Sequence, residues 1–323
     1  MNNAIVAFGE IMLRLTPDGE KNSILNAQRF HAVYGGTESN VLVALSAMGN
    51  STRYLTKLPA NDLGRGAIHH LQGHGVDCSC ILTSGNNMGM YFLEEGFAAR
   101  QAKVIYCREH AEITTLTEDD FDYDAVFANC ALFHISGISF GLSSSVERLC
   151  FRLLEEAKNR NIPVSFDFNY RAKLWSVETA AAVYKRIIPY VDTVFCSRLD
   201  LTTFLGVTED TFFSEYLNAR VLVVRERTIL PASHRITAQV YTPFGLMARA
   251  EKETPVLERI GGGDAFAAGF IHGLMHFDEN WPQILDYAAT CFVLKHTVKG
   301  DVLSMSKAEI ETYQNSQSKD VKR

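Results

Sequence analysis

The residues best suited to chemistry lie near the carboxyl end of the chain, where three glycines precede an aspartate in Gly261-Gly262-Gly263-Asp264. Glycines let the backbone adopt conformations closed to other residues and approach a ligand closely. The following apolar residues predict a helix from Asp264, and a helix start binds anions through its free N–H groups and positive dipole end. We predict that Asp264 is a catalytic base and that Gly261, Gly262 and Gly263 receive charge on a phosphoryl group. The alternative is a plain helix N-cap.

Two further polar segments have patterns that favour ligand binding. Gly35-Gly36 precedes a predicted small-residue helix, and Asn40 at its start can aim a bidentate amide at hydroxyl groups. The segment Asp167-Phe168-Asn169-Tyr170-Arg171 directly follows an apolar run that predicts a strand. Ligands in open α/β sheets bind outside the carboxyl ends of the strands, and an arginine fork suits carboxylate or phosphate. The alternatives are a structural glycine-opened helix and a solvated turn.

The elements that must position these residues alternate along the chain as short apolar runs and longer helical patterns. This alternation predicts βαβ units and a parallel sheet, in which the strands are buried on both faces. Asp62 is the predicted N-cap of the second helix. The predicted strands are 4–8, 53–56, 132–135, 164–167, 193–196 and 221–224, and the predicted helices are 40–48, 62–75, 143–161, 177–189, 264–275 and 281–296.

Two segments interrupt this alternation. Residues 10–34 and 88–108 contain short strand-like pieces without a helical pattern. We interpret them as a small antiparallel sheet beside the main domain, where it would act as a lid that excludes water from a reaction. The alternative is a pair of ordinary hairpins at a sheet edge.

The composition sets limits on the class of protein. The chain has 323 residues and a net charge of −6, which makes nucleic acid a poor candidate partner. No apolar run reaches the ~20 residues of a membrane span, and the amino terminus has no signal-peptide pattern. The seven cysteines include no C-x-x-C pair and predict reduced thiols, hence a cytoplasmic protein. Residues 1–312 are predicted to form one α/β domain and residues 313–323 a flexible tail.

Together, these motifs resemble the PfkB (ribokinase-like) carbohydrate kinases. The early Gly-Gly-x-x-x-Asn at Gly35, Gly36 and Asn40 and the late Gly-x-Gly-Asp-Ala-Phe that ends at Phe266 match the two signatures of that family. The resemblance implies a doubly wound, mostly parallel α/β sheet flanked by helices, with a small β-sheet lid. It also implies ATP and Mg²⁺, transfer of the γ-phosphate to a sugar hydroxyl, and a homodimer formed through the lid.

Gly89-Met90-Tyr91 and the segments 103–108 and 167–175 look most like those of the 2-keto-3-deoxygluconate kinases within that family, which phosphorylate the terminal 6-hydroxyl of a sugar acid. Charge-assisted hydrogen bonds from Arg108 and Arg171 suit an anionic substrate, whereas a neutral sugar would not need two arginines. The alternative for Arg108 is a surface ion pair with Glu109 or Glu112. The substrate-binding residues implied by the resemblance are Gly35, Gly36, Asn40, Tyr91, Tyr106, Arg108, Arg171, Asp264 and Asp301, and the nucleotide-binding residues are Asn169, Ser197, Arg225, Gly261, Gly263 and Ala289.

The chain departs from the family pattern at two acidic positions. Glu258 stands where an aspartate usually helps to hold a monovalent cation, and the extra methylene leaves cation activation open. Asp200 stands where a glutamate is linked to Mg²⁺ and phosphate. Both are candidates for metal binding, and neither is assigned as a ligand.

Three rival functions follow from these residues. A kinase for a neutral sugar such as fructose or ribose would share the fold and signatures, and would be favoured if Arg108 and Arg171 pointed away from the pocket. A non-catalytic sugar or nucleotide sensor is supported only by Glu258 and Asp200. A Rossmann-type oxidoreductase is excluded because no G-x-G-x-x-G follows the first strand.

Overall fold

The computed structural model describes residues 3–19, 23–96 and 100–315. The larger of two sheets has nine strands in the order β13-β12-β11-β10-β9-β8-β1-β4-β5. Seven neighbouring strands, β11, β10, β9, β8, β1, β4 and β5, are parallel. Strands β12 and β13 complete an antiparallel edge, so the predicted mostly parallel sheet is confirmed. Its strands are β1 Ala4–Phe8, β4 Thr52–Leu58, β5 Ile81–Thr83, β8 Cys130–Ser136, β9 Val164–Asp167, β10 Thr193–Cys196, β11 Val221–Ile229, β12 Ser233–Thr242 and β13 Gly245–Pro255.

Helices cover both faces of this sheet because its central strands are apolar on both sides. Every residue of β1 is buried, for example, and its side chains contribute alternately to two separate cores. One core includes α1, α9 and α10, and the other includes α5 and α6. The helices are α1 Thr37–Ala47, α2 Asp62–Gly73, α3 Tyr123–Phe127, α4 Gly137–Phe140, α5 Ser144–Asn159, α6 Val177–Ile187, α7 Arg198–Asp200, α8 Phe212–Glu215, α9 Gly262–His276, α10 Trp281–Lys295 and α11 Lys307–Asn315.

The small sheet consists of β3, β2, β6 and β7 in that order, formed by the two segments that interrupt the alternation. The expectation of a purely antiparallel sheet is wrong at its centre, where β2 pairs with β6 in parallel. Both strands leave the same edge of the large sheet, β2 after β1 and β6 after β5, so they run in the same direction. Residues 20–22 and 97–99 of the two segments lie outside the described residues. The strands are β2 Met12–Pro17, β3 Phe30–Gly35, β6 Met90–Glu94 and β7 Lys103–Cys107.

Local details differ from the sequence predictions at three helix ends. The N-cap of α2 is Asn61 rather than Asp62, since the Asn61 side-chain oxygen accepts from the N–H of Leu63 at 3.1 Å. The N-cap of α9 is Gly261, which places Asp264 inside the first turn and contradicts the plain-cap alternative. Helix α11 extends through residue 315, because Gln314 donates to Asp286 at 2.6 Å; the rest of the predicted tail lies outside the described residues.

All seven cysteines lie within the described residues and are free thiols, as predicted. Among the helices of the described ranges, none has the length and hydropathy needed to cross a membrane.

Candidate active site

A cavity of about 380 Å³ lies between the small sheet and the carboxyl edge of the large sheet. All three polar segments singled out by their sequence contribute to its wall, together with β6, β7 and the residues that follow β7. Residues that line it include Gly36, Asn40, Tyr91, Arg108, Arg171 and Asp264. The topology therefore brings together segments that lie more than 200 residues apart in the chain.

The glycine turn, which we define as Gly261–Gly263, has room for side chains only at its third position. Gly261 has a φ of 77°, and a Cβ there would stand 1.8 Å from the carbonyl oxygen of Asp301. A Cβ at Gly262 would stand 2.4 Å from the His296 ring, whereas at Gly263 the nearest atom is 3.7 Å away. The turn leaves the first N–H groups of α9 without partners inside the helix, which is the geometry of an anion site.

Asp264 is positioned by Asn40 from the other glycine-opened helix. Asn40 Nδ2 donates to Asp264 Oδ2 at 2.7 Å, and Asn40 Oδ1 accepts from the N–H of Gly36 at 3.4 Å. Burial raises the pKa of Asp264 to about 7, with a further contribution from the negative charge of Asp167. The Asn40 hydrogen bond and the charges of Arg171 and Arg225 act in the opposite direction. A carboxyl with this pKa suits a general base that operates near neutral pH.

The small sheet presents two tyrosines and an arginine to the cavity. Tyr91 donates to Asp301 Oδ2 at 3.1 Å, and its ring lies 5.8 Å from the ring of Tyr106. The Arg108 guanidinium lies 5.6 Å from the Tyr106 ring centre. Arg108 forms an ion pair with buried Glu10, not with Glu109 or Glu112, so the surface-pair alternative is wrong. Sequence reasoning missed Glu10, which no motif marked.

Arg171 also lines the cavity and forms no direct ion pair with an acidic side chain of residues 3–19, 23–96 and 100–315. Its guanidinium donates to the carbonyl oxygens of Asn169 at 3.2 Å and Tyr170 at 3.1 Å. Asn169 adopts a φ of 42° and donates to Thr37 at 3.1 Å, which fixes the turn after β9. Arg108 and Arg171 therefore both face the cavity that contains Asp264.

A second group of arginines lies on the β11 side of the cavity. Arg225 pairs with Asp167 and donates to the carbonyl oxygen of Gly263 at 2.9 Å. Arg227 and Arg259 line the cavity as well and were not predicted. Burial lowers the pKa of Arg227, and the positive charges of Arg259 and Arg171 add to this effect. So many guanidinium groups at one wall create a site that favours a polyanion.

The remaining expected ligands lie at or beyond the edges of this cavity. Ser197 and Asp200 form a capping box, in which the Asp200 carboxylate accepts from the Ser197 N–H and hydroxyl at 2.7 Å each. Glu258 is buried and contacts Arg14 at 3.4 Å. Ala289 is buried in the packed interior of α10. Within the described ranges, neither Ser197 nor Ala289 lines the cavity.

Comparisons with known proteins place this geometry in context. The model for the pfkB family carbohydrate kinases matches residues 2–228. A 2-dehydro-3-deoxygalactonokinase from Haloferax volcanii is 34% identical over 318 residues, which cover 96% of each chain. The structure of a 2-dehydro-3-deoxygluconokinase from Thermotoga maritima gives a TM-score of 0.92 at 32% identity, covering 97% of this chain and 98% of that one. An E. coli protein solved in complex with ATP and Mg²⁺ shares the fold, with a TM-score of 0.81 at 18% identity over 97% of this chain and 99% of that one.

Proposed function

The chain belongs to the pfkB family of carbohydrate kinases, and from this premise we propose that it phosphorylates the terminal 6-hydroxyl of 2-keto-3-deoxygluconate (2-dehydro-3-deoxygluconate). The observation that carries the proposal is that Arg108 and Arg171 face the same cavity as the Asp264–Asn40 pair. The C4 epimer 2-keto-3-deoxygalactonate is a second candidate, favoured by the 34% identical relative that is named for it.

The cavity contains groups that suit both ends of such an acceptor. A guanidinium binds carboxylate through charge-assisted hydrogen bonds, and the partners of Arg171 in the described part of the chain are two backbone carbonyls, which leaves it able to bind one. Tyr91, Tyr106, Asp301 and the Gly35-Gly36 backbone supply polar groups for the hydroxyls between the two ends. We infer that the carboxylate binds toward the arginines and the terminal hydroxyl toward Asp264.

Phosphoryl transfer then requires a base, an anion site and in-line geometry. Asp264 accepts the proton of the terminal hydroxyl, the hydroxyl oxygen attacks the γ-phosphorus of ATP, and the bond to the bridging oxygen of ADP breaks. The N–H groups of the glycine turn stabilise charge on the transferred group. Arg225, Arg227 and Arg259 line the same cavity and would bind the nucleotide phosphates.

The carboxylates near β9 and β10 suit the Mg²⁺ that this family uses with ATP. Burial raises the pKa of Asp200, with a further contribution from the negative charge of Asp167, so a cation near Asp200 would relieve unfavourable charge. Mg²⁺ at such sites is usually bound by substrate phosphates and water together with one or two protein carboxylates. Asp167 and Asp200 would hold it, and it would neutralise charge on the phosphates.

The small sheet is placed to act as a lid over the acceptor. Tyr91, Tyr106 and Arg108 all project from it or from the residue that follows β7, and Lys173 of the main domain donates to the carbonyl oxygen of Val104 in β7. Closure of such a sheet would exclude water, which competes with the sugar for the phosphoryl group. Assembly of a homodimer through this sheet stays a prediction.

A panel of acceptors tests the proposal directly. We expect ADP release with ATP and Mg²⁺ to be strong on 2-keto-3-deoxygluconate and weak on fructose and ribose, because only a sugar acid with a free terminal hydroxyl matches both ends of the cavity. Gluconate and 2-keto-3-deoxygalactonate in the same panel test the keto group and the configuration at C4. Phosphorus–carbon NMR couplings in the product should locate the phosphate on C6. Preferred turnover of 2-keto-3-deoxygalactonate would select the second candidate. Preferred turnover of fructose or ribose would indicate a neutral-sugar kinase. Calorimetric binding without turnover would support a sensor.

The pH dependence of the reaction is expected to follow Asp264. Only its carboxylate form accepts a proton, so kcat/KM for the acceptor should fall about tenfold per pH unit below about pH 7. Asn40→Ala removes a hydrogen bond that lowers the pKa of Asp264, so the acid limb should move to higher pH. Substrate ionisation is identical for both proteins, and a limb at the same pH in both would contradict the assignment.

A further inference from the structure

A lysine is buried directly behind the glycine turn. Lys295 is the last residue of α10, its side chain is 0% exposed, and its ammonium donates to the carbonyl oxygen of Val298 at 3.2 Å. A methyl group added at Gly261 would stand 3.3 Å from Lys295 Cε, so the side chain packs against the turn itself. Neither the motifs nor the family resemblance marked this residue.

The charged groups around Lys295 belong to residues beside the glycine turn. Burial lowers the pKa of Lys295 and the positive charge of Arg14 adds to this effect, while the carboxylates of Glu258, Asp301 and Asp264 favour its charged form. Glu258 and Asp301 are 7% and 2% exposed. Buried carboxylates of this kind need compensating positive charge, since removing it leaves an uncompensated charge in the interior.

The same place is where the family resemblance predicts a monovalent cation. The Glu258 carboxylate, which stands where the family holds such an ion, is already engaged by this chain, and so are its charged and polar neighbours. Glu258 Oε2 contacts Arg14 at 3.4 Å, Glu258 Oε1 accepts from the N–H of Ile260 at 3.3 Å, and the Val298 carbonyl accepts from Lys295. Arg14 also contacts Asp301 at 3.0 Å. The residues present therefore do not fit a bound monovalent ion.

We propose that the Lys295 ammonium replaces a bound monovalent ion in this active site. It balances Glu258 and Asp301, holds the glycine turn in the conformation that presents its N–H groups to the phosphoryl group, and makes turnover independent of potassium. Lys295 is a positioning residue, since it reaches the reacting atoms only through the turn. The inference rests on the phosphoryl transfer of the proposed function and not on which sugar accepts the phosphate.

The test compares two substitutions that differ in the space they leave. Lys295→Ala opens room for a small cation, and we expect turnover to fall about 10²-fold, the scale of a 1 Å misplacement at a reacting centre. Potassium or ammonium ions should restore about tenfold of that loss. Lys295→Met fills the space without a charge and should lose activity without such recovery. Lys252→Met is the matched control, because Lys252 forms an ion pair with Asp286, which lies on α10 as Lys295 does.

Cation binding is also read without catalysis, by thermal unfolding in potassium, ammonium and choline chloride. We expect potassium and ammonium to raise the melting temperature of Lys295→Ala above its value in choline chloride. The change of salt should shift the melting temperatures of the wild type, Lys295→Met and Lys252→Met by equal amounts. Wild-type turnover that rises severalfold with potassium, or full activity in Lys295→Met, would overturn the proposal. If Lys295→Ala does not fold, the wild type and Lys295→Met decide. A wild type that phosphorylates no acceptor fails the proposed function, and the unfolding measurements then decide the cation question alone.

Discussion

Asp264→Asn is expected to lower kcat by about 10²- to 10⁴-fold, the usual contribution of a positioned general base. Asparagine has nearly the same shape and can still bond Asn40, but it cannot accept the proton of the acceptor hydroxyl. KM for ATP and for the sugar should change little, since the loss falls on the transition state. The measurement is steady-state ADP release with the preferred acceptor. Turnover equal to that of the wild type would falsify the assignment of the base.

The same substitution should leave the fold intact or make it more stable. The folded-state pKa of Asp264 is raised above 3.8 to about 7, so its contribution to stability is complete below the unfolded-state pKa and is lost as pH rises through about 7. Asparagine removes that loss, and the melting temperature near pH 8 should equal or exceed that of the wild type. Asp62→Asn, at an exposed acid at the start of α2, is the matched control and should change neither activity nor this pH dependence.

Arg171→Gln is expected to reduce kcat/KM for the sugar acid by about 10- to 100-fold. A hydrogen bond to a charged group contributes about 1.5–3 kcal/mol, and each 1.4 kcal/mol corresponds to about a factor of ten. Arg171 is chosen because, among the described residues, its guanidinium donates to the carbonyl oxygens of Asn169 and Tyr170 and its removal breaks no direct ion pair. Kinetic constants with the sugar acid and with fructose are the measurement.

Selectivity separates a carboxylate contact from a general loss of activity. If Arg171 binds the carboxylate, the rate on the sugar acid should fall while the residual rate on fructose stays unchanged, both measured well above pH 7, where loss of the Arg171 charge no longer alters the ionisation of Asp264. Arg148→Gln, at an exposed arginine paired with Glu118, is the control and should leave both rates as they are. Equal losses on both acceptors would show that Arg171 does not read the carboxylate. Arg108→Gln is a less clean variant, because it leaves buried Glu10 without its ion pair.

Local patterns in the sequence were sufficient for the fold class and for the central residues of the site. The apolar runs predicted most of the parallel strands, because strands buried on both faces must be continuously apolar. The glycine turn and Asp264 were recognisable because backbone conformation and helix-start chemistry depend on adjacent residues. The resemblance to the carbohydrate kinases rests on the same short motifs, and the family match confirms it.

Partners across the chain were decided only by the tertiary structure. The hydrogen bond between Asn40 and Asp264 joins residues 224 positions apart, and the ion pair of Arg108 with Glu10 joins residues 98 positions apart. The raised pKa of Asp264 depends on burial and on Asp167, neither of which its neighbours in sequence reveal. The parallel pairing of β2 with β6 likewise follows from the sheet edge that both strands leave.

Lys295 is the clearest case of a residue whose surroundings the sequence does not reveal. In the sequence it is a lysine at the carboxyl end of an apolar helix. The ordinary expectation there is a solvated ammonium that interacts favourably with the negative end of the helix dipole. Packing of α10 against the glycine turn instead buries its ammonium close to the charges of Glu258 and Asp301. The sequence by itself determined which residues can do chemistry, because residue type and local backbone are properties of short segments. Tertiary structure decided which charges meet, because burial and long-range contacts arise only when distant segments pack together.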